Sequence, residues 1–197
     1  MFIKSNIILA SKSQRRLELI RQVGIEPCEV INPEIDENAF NEIPIYKRSK
    51  EIALQKALAI KKNNFQNNNF IIAGDNIVFR NKKTYDKTDD ITKVKSYLSE
   101  LSGKKHIVFG GLCVLSPNGE ISSKTVKTEV FFKNLSYCEL NNKDLQKDGL
   151  NKAGGYAIQS LGSLIISRIK GSYYNVVGLC LFELVQMLKG LGWKNIN

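Results

Sequence analysis

The chain has a single histidine, His106, in 197 residues. A zinc site built on several imidazoles is therefore excluded. Any metal has to be held by carboxylates and substrate oxygens, which suits Mg²⁺ or Mn²⁺. His106 sits between strand-like residues, so it reads as a packed or half-exposed strand histidine and no Ser-His-Asp set is expected. Cysteine is also scarce. Cys28, Cys113, Cys138 and Cys180 have no C-x-x-C spacing, and each lies beside apolar residues. They read as reduced packing residues rather than a disulfide framework or a redox pair. There is no Walker A sequence and no G-x-G-x-x-G, which argues against a P-loop enzyme or a dinucleotide dehydrogenase. No apolar run reaches the ~20 residues of a membrane helix. The opening stretch, Met1 to Leu9, is too short and too quickly interrupted for a signal peptide, so a cytoplasmic setting is expected. Repeats and Pro/Gly/Ser linkers are missing as well, and one continuous domain over residues 1–197 is expected.

Acidic residues are the minority, 19 against 29 Lys and Arg, giving a net charge of +10. Two readings stay open. One is an anionic partner such as a nucleotide, a nucleic acid or a membrane surface. The other is a compositional bias in which Lys, Asn and Ile rise together. No stripe of basic residues interleaved with aromatics is visible, so stable nucleic-acid binding is not expected.

The most informative stretch is Leu9-Ala10-Ser11-Lys12-Ser13-Gln14-Arg15-Arg16. Residues 6–10 form a short apolar run of buried-strand type, and Leu17, Leu19, Ile20 and Val23 give residues 15–23 a helical stripe. Two arginines thus fall in a first helical turn, where a partial positive charge favours Asp or Glu by roughly 0.3–1 kcal/mol each. Two cations there make sense if an anion sits there too. Free backbone N–H groups, the hydroxyls of Ser11 and Ser13 and the forks of Arg15 and Arg16 together describe a phosphate site.

Farther along, a strand is expected at 29–32, an acidic loop with Glu34, Asp36, Glu37 and Glu42, and a long helix at 45–62. A polar Asn-rich loop at 63–69 leads to a strand at 70–73 that ends in Gly74-Asp75-Asn76. Residues 78–85 read as a polar hairpin around Asn81, and Thr88-Asp89-Asp90 starts a helix that stops at Gly103. Two extended runs, 105–115 and 121–132, flank the turn Pro117-Asn118-Gly119. A short helix at 137–146, a strand at 164–169 and a closing helix at 176–188 complete the order. The mixture predicts an α/β (mixed α+β) layered domain with a mixed sheet.

Several side chains are placed for chemistry. Asp75 follows an apolar strand, where open α/β sheets put their sites; it either orients a metal, takes a proton from water, or simply caps a turn. Lys56 shares a helix face with Ala53, Ala57 and Ile60, and either snorkels outward or aims at a phosphate. Lys87, just before a helix, poses the same choice. Asp36 and Glu37 form an acidic pair suited to a divalent metal or to solvent. Gln159, after the paired glycines of Asn151-Lys152-Ala153-Gly154-Gly155-Tyr156, offers a donor and an acceptor for a base edge. Gly171-Ser172-Tyr173-Tyr174-Asn175-Val176-Val177-Gly178-Leu179 lies at a strand-to-helix junction and either adds hydroxyls to the same site or only enters the helix.

In this order, these pieces resemble the Maf (septum-formation-inhibitor-like) family of nucleoside triphosphate pyrophosphatases. The matching segments are the Ser11–Arg16 motif, Ile35-Asp36-Glu37, Leu54-x-Lys56-Ala57, Ala73-Gly74-Asp75, Leu101-Ser102-Gly103 with His106, Thr128-Glu129-Val130, Lys152 to Gln159, and Gly171-Ser172-Tyr173 through Leu179. The resemblance implies an inosine-triphosphatase-like layered fold with an elongated mixed sheet, flanking helices and a cleft between two lobes, in a family whose members are often homodimers. It implies hydrolysis of a nucleoside triphosphate to the monophosphate and pyrophosphate with a divalent cation, Mg, Mn or Co. Asp75 then matches the proton acceptor and Glu37 an acidic active-site position, and the two are expected to hold part of the metal. Ser11, Arg15, Arg16, Lys56 and Lys87 match the polar and cationic positions near the phosphates, Ser13 and Lys152 are expected to join them, and Arg15, Asn76 and Gln159 match positions tied to base selection. Arg15 and Gln159 follow the thymidine/uridine-preferring group, whereas Asn76 stands where that group has Thr. Gln14 and Thr88 replace prolines usual in the family. Two rivals remain: an inactive regulatory nucleotide-binding homologue, against which the retained Asp75, Lys56 and Lys87 argue, and a basic RNA-binding module.

Overall fold

The computed structural model describes residues 5–63 and 68–194. Most of the expected Asn-rich loop, and the first four residues of the stretch read against a signal peptide, lie outside them. The elements are β1 (Ile7–Ala10), α1 (Gln14–Gln22), β2 (Glu29–Ile31), α2 (Ile45–Asn63), β3 (Phe70–Arg80), β4 (Lys83–Thr84), α3 (Ile91–Leu101), β5 (Lys105–Leu115), β6 (Ile121–Phe132), α4 (Tyr137–Leu140), α5 (Lys143–Asp148), β7 (Ile166–Lys170), α6 (Tyr173–Val177) and α7 (Leu181–Gly190). A seven-stranded mixed sheet runs in the order β2-β1-β3-β5-β6-β7, with β4 paired to β3. The expected mixed α/β class is the observed one. No helix among the described residues is long and apolar enough to cross a membrane.

By internal contacts the chain divides into two compact units. The first comprises the chain up to Asp75 with Gly110–Val126 and Gly178–Asn197. Here β1 lies parallel to β2 on one side and β3 on the other, with Leu9 opposite both Val30 and Ile72. All four residues of β1 are buried, which is why it reads as an unbroken apolar run rather than an alternation. Helix α2 buries Ser49, Ile52, Ala53, Lys56, Ala57 and Ile60, a stripe at helical spacing. Ala53, Ala57 and Ile60 pack with Ile8, Ile71, Ala73, Cys113 and Leu115. Burial pushes the Cys113 thiol up to about 12, consistent with an inert packing residue.

The second unit comprises Asn76–Phe109 and Lys127–Val177. Its core sets Val94, Tyr97, Leu98 and Leu101 of α3 with Val108, Val130, Phe132, Leu145 and Tyr156. Asn81 and Lys82 take φ of 47° and 63°, the two positive values that a two-residue type I′ hairpin requires. The expected polar hairpin therefore forms between β3 and β4.

Several boundaries differ from expectation; the strand expected at 164–169, for instance, is Ile166–Lys170, with Leu164 in a 3₁₀ turn. Strand β3 does not stop at Gly74-Asp75-Asn76 but continues to Arg80, so Asp75 lies within a strand rather than at its carboxyl end. Helix α3 is capped by Asp90, whose Oδ1 accepts from the Thr92 N–H at 2.7 Å; Thr88 stands two residues earlier and its Oγ1 accepts from the Asp90 N–H. The expected helix at 137–146 is two, because Asn142 accepts from the N–H groups of Asp144 and Leu145 and starts α5 afresh. The closing helix is likewise two, α6 and α7, broken at Gly178, whose φ of 152° a helix does not permit.

His106 is 1% exposed, packed edge-on against Phe132 and Tyr156, with Nε2 2.8 Å from the Tyr156 hydroxyl. Burial, followed by the charge of Arg80, pushes its pKa down from 6.5 to about 3. The folded protein holds it neutral, while the unfolded chain protonates it below about pH 6.5. Stability is therefore complete above that pH and falls on acidification toward pH 3, by about 1.4 kcal/mol per pH unit. Urea unfolding at pH 7.5 and pH 5 is expected to differ by about 2 kcal/mol from this group, a difference that His106→Gln removes. An equal pH dependence in that variant contradicts the assignment.

Candidate active site

The site starts where β1 hands over to α1. Ser13 occupies the N-cap of α1 in extended conformation without a side-chain cap bond, and the first turn holds no acid. Ser11 is buried, and its Oγ accepts from the Ser13 N–H at 3.2 Å and from Arg16 Nη1 at 3.1 Å. Arg16 is only 7% exposed; its Nε donates to the Gly178 carbonyl at 3.0 Å. Burial draws the guanidinium below arginine's ordinary value, Asp75 and Glu37 draw it up and Arg15 draws it down. It remains a cation, since arginine keeps its proton in proteins. The Arg16 charge is thus partly compensated by carboxylates from elsewhere in the chain. Arg15 itself is half-buried on the same turn.

Those carboxylates converge on Lys56. Its Nζ lies 3.0 Å from Asp75 Oδ1 and 2.6 Å from Glu37 Oε1. The side chains of Lys56 and Asp75 are 8% and 6% exposed, so this arm is a buried ion pair; Glu37, at 50%, faces solvent. Lys56 therefore does not snorkel outward. Asp36 is spent on local structure, accepting from the Asn38 N–H at the start of a short 3₁₀ turn, Glu37–Phe40, while Glu37 turns to the lysine. Gly74 is needed for its lack of a side chain. A Cβ there would lie 2.9 Å from Leu179 Cδ1 and 3.3 Å from Arg16 Nε. Its bareness lets Arg16 cross β3 next to Asp75.

The first unit thus gathers Ser11, Arg16, Glu37, Lys56 and Asp75, with Ser13 and Arg15 alongside. The remaining candidates belong to the second unit. Asn76 Nδ2 donates to the Asn175 main-chain carbonyl at 2.9 Å. Asn175, 1% exposed, donates from its own Nδ2 to Thr128 Oγ1 at 3.0 Å and to the Val108 carbonyl at 3.3 Å. Sequence reasoning missed Thr128 and Asn175 as supports for Asn76, although both lie in segments that carry the family resemblance. Lys87 is exposed. Lys152 donates to the Asp148 carbonyl and lies 3.7 Å from that residue's carboxylate. The segments bearing these two lysines are stitched together by Asn151 N–H to Thr88 O and Gly154 N–H to Tyr85 O, both 2.8 Å. Gln159 is exposed in the turn after Tyr156.

Glu37 and Asp75 are two carboxylates drawn to one ammonium, and oxygen donors of this kind suit a hard cation. Among the described residues no three His, Cys, Asp or Glu side chains gather to form a complete metal cage. One or two carboxylates are the donors a Mg²⁺-type site takes from a protein when substrate phosphates and water complete the shell.

A helix start rich in arginine, a buried guanidinium and a buried lysine–carboxylate pair on a mixed α/β sheet are the equipment of a protein that handles phosphate groups. Comparison with known proteins is specific. The chain belongs to the Maf-like protein family, whose model matches residues 6–191. It is 39% identical over 188 residues to a dTTP/UTP pyrophosphatase of Paramagnetospirillum magneticum, covering 95% of this chain and 97% of that one. It is 37% identical to a dTTP/UTP pyrophosphatase of Chelativorans sp., covering 98% and 95%. A solved nucleoside-triphosphatase / dITP/XTP pyrophosphatase of Mycobacterium abscessus aligns over 66% of this chain and 75% of that one, at a TM-score of 0.39 and 17% identity.

Proposed function

We propose that the protein hydrolyses a nucleoside triphosphate to the monophosphate and pyrophosphate, with Asp75 as proton acceptor. The observation that carries this is the buried Lys56–Asp75 pair beside Arg16. Lys56 holds the carboxylate in place through the 3.0 Å contact, and Asp75 takes a proton from the water that attacks the α-phosphorus. Arg16 and Lys56 neutralise charge that develops on the phosphate oxygens, and Ser11 and Ser13 add hydrogen bonds. Fixed charge and positioning supply most of the rate, as phosphoryl transfer asks for little else. Glu37 and Asp75 would hold the divalent cation; when bound it supplies further neutralisation of phosphate charge.

Lys87 and Lys152 join the phosphate-binding set through the family resemblance, and Arg15, Asn76 and Gln159 the base-selecting set. The relatives' names favour dTTP and UTP as substrates, with Asn76 the position at which this chain differs from the thymidine/uridine pattern. One functional domain over residues 1–197, a cytoplasmic setting and a homodimer belong to the same reading. Canonical and modified triphosphates, screened with Mg²⁺, Mn²⁺ or Co²⁺ for pyrophosphate release, test it. Turnover of dTTP or UTP to the monophosphate is expected. Release of orthophosphate alone, or no turnover with any combination, contradicts it.

A further inference from the structure

The close approach of α2 to the sheet has a definable cause. A Cβ built on Gly111 of β5 would lie 1.8 Å from the Ser49 carbonyl oxygen and 2.5 Å from the Lys50 nitrogen. Both are main-chain atoms of α2, so no side-chain rotation relieves the clash. Contacts of that kind under 3.0 Å are essentially never tolerated. The helix backbone thus rests directly on the backbone of β5. Ser49, fully buried, stands seven residues before Lys56, two helical turns away and on the same stripe. Ala53 and Ala57 keep that stripe shallow between them, against Ala73 and Cys113. Gly111 meets β3 as well: a Cβ on Gly74, next to Asp75, would lie 3.4 Å from the Gly111 carbonyl oxygen. One glycine therefore touches the helix that carries the lysine and the strand that carries the aspartate.

We infer that Gly111 is a positioning residue, setting the depth at which α2 seats and thereby the Lys56–Asp75 distance. The inference rests on the catalytic reading of that pair. A methyl group at position 111 has to lift α2 by more than an ångström at its Ser49 end. Misplacement on that scale costs on the order of 10-fold to 100-fold in rate when it falls on catalytic groups.

The test is a double-mutant cycle on kcat and KM in the full-length protein, with Gly111→Ala, Lys56→Gln and the combination. Gly190→Ala is the control, as a Cβ there meets nothing within 4 Å. Gly111→Ala is expected to lower kcat at least about 10-fold with KM changed less, and to add under twofold once Lys56 is already Gln. A crystal structure of Gly111→Ala is expected to show the Lys56–Asp75 separation opened from its 3.0 Å. Parental kcat, an equal loss in the Lys56→Gln background, or an unchanged separation each overturn the inference. If Gly111→Ala does not fold, Ala53→Ser adds one atom to the buried face of α2 that packs with Ala73 and Cys113, one turn after Ser49; it is expected to lower kcat several-fold, and a parental value overturns the claim. Absence of activity in the parent chain counts against the enzymatic reading alone, because the separation in the variant crystal is read without turnover.

Discussion

Asp75→Asn is expected to lower turnover at least about 10³-fold, the combined scale of a lost general base and a lost fixed charge, while the protein remains folded. The amide keeps the shape of the carboxylate and still presents an oxygen to Lys56 Nζ, now 3.0 Å away. Lys56 also keeps Glu37 at 2.6 Å, so its ammonium is not abandoned in the interior. The stability change should stay within about 2 kcal/mol, the range of a single weakened charged hydrogen bond. Circular dichroism and urea unfolding check the fold, and pyrophosphate release checks the rate. Parental turnover in a folded Asp75→Asn protein removes Asp75 from the mechanism.

Lys56→Met should behave differently, because it damages both the fold and the chemistry. Methionine fits the apolar stripe formed by Ile52, Ala53, Ala57 and Ile60, but it leaves the Asp75 carboxylate, 6% exposed, without its ammonium. Breaking one partner of a buried pair costs about 3–5 kcal/mol, since the remaining charge stays desolvated. The solvent-facing Glu37 arm contributes little of this, as exposed pairs are screened. Loss of a transition-state charge adds about 10²–10³-fold in rate. Lys56→Met combined with Asp75→Asn should recover most of the lost stability and none of the activity. A Lys56→Met protein as stable as the parent by urea unfolding contradicts the buried-pair account.

The comparison of these two residues shows what the sequence makes legible. Helical spacing alone places Lys56 on the stripe of Ala53, Ala57 and Ile60, and the structure puts it there. Spacing does not reveal the partner, because Asp75 is 19 residues away on another element and Glu37 arrives from a loop. Strands β5 and β6 are readable to the residue, since apolar runs flank a Pro117-Asn118-Gly119 turn. Strand β3 is not. Gly74-Asp75-Asn76 carries turn chemistry, yet tertiary contacts override it: Gly74 makes room for Arg16 and Leu179, Lys56 meets Asp75, and Asn175 holds Asn76. The breaks at Asn142 and Gly178 escape sequence reading for the opposite reason, because apolar periodicity continues across residues whose backbone cannot. The arginines in the first turn of α1 are the clearest signal. Their local cost points to compensating negative charge, and Asp75 and Glu37 supply part of it.

The central claim is that water activated at Asp75 attacks the α-phosphorus. Hydrolysis of dTTP or UTP in heavy-oxygen water, followed by mass spectrometry of both products, tests it most directly. The label is expected in the nucleoside monophosphate and not in pyrophosphate. Label in pyrophosphate, or in released orthophosphate, places the attack on another phosphorus and contradicts the assignment.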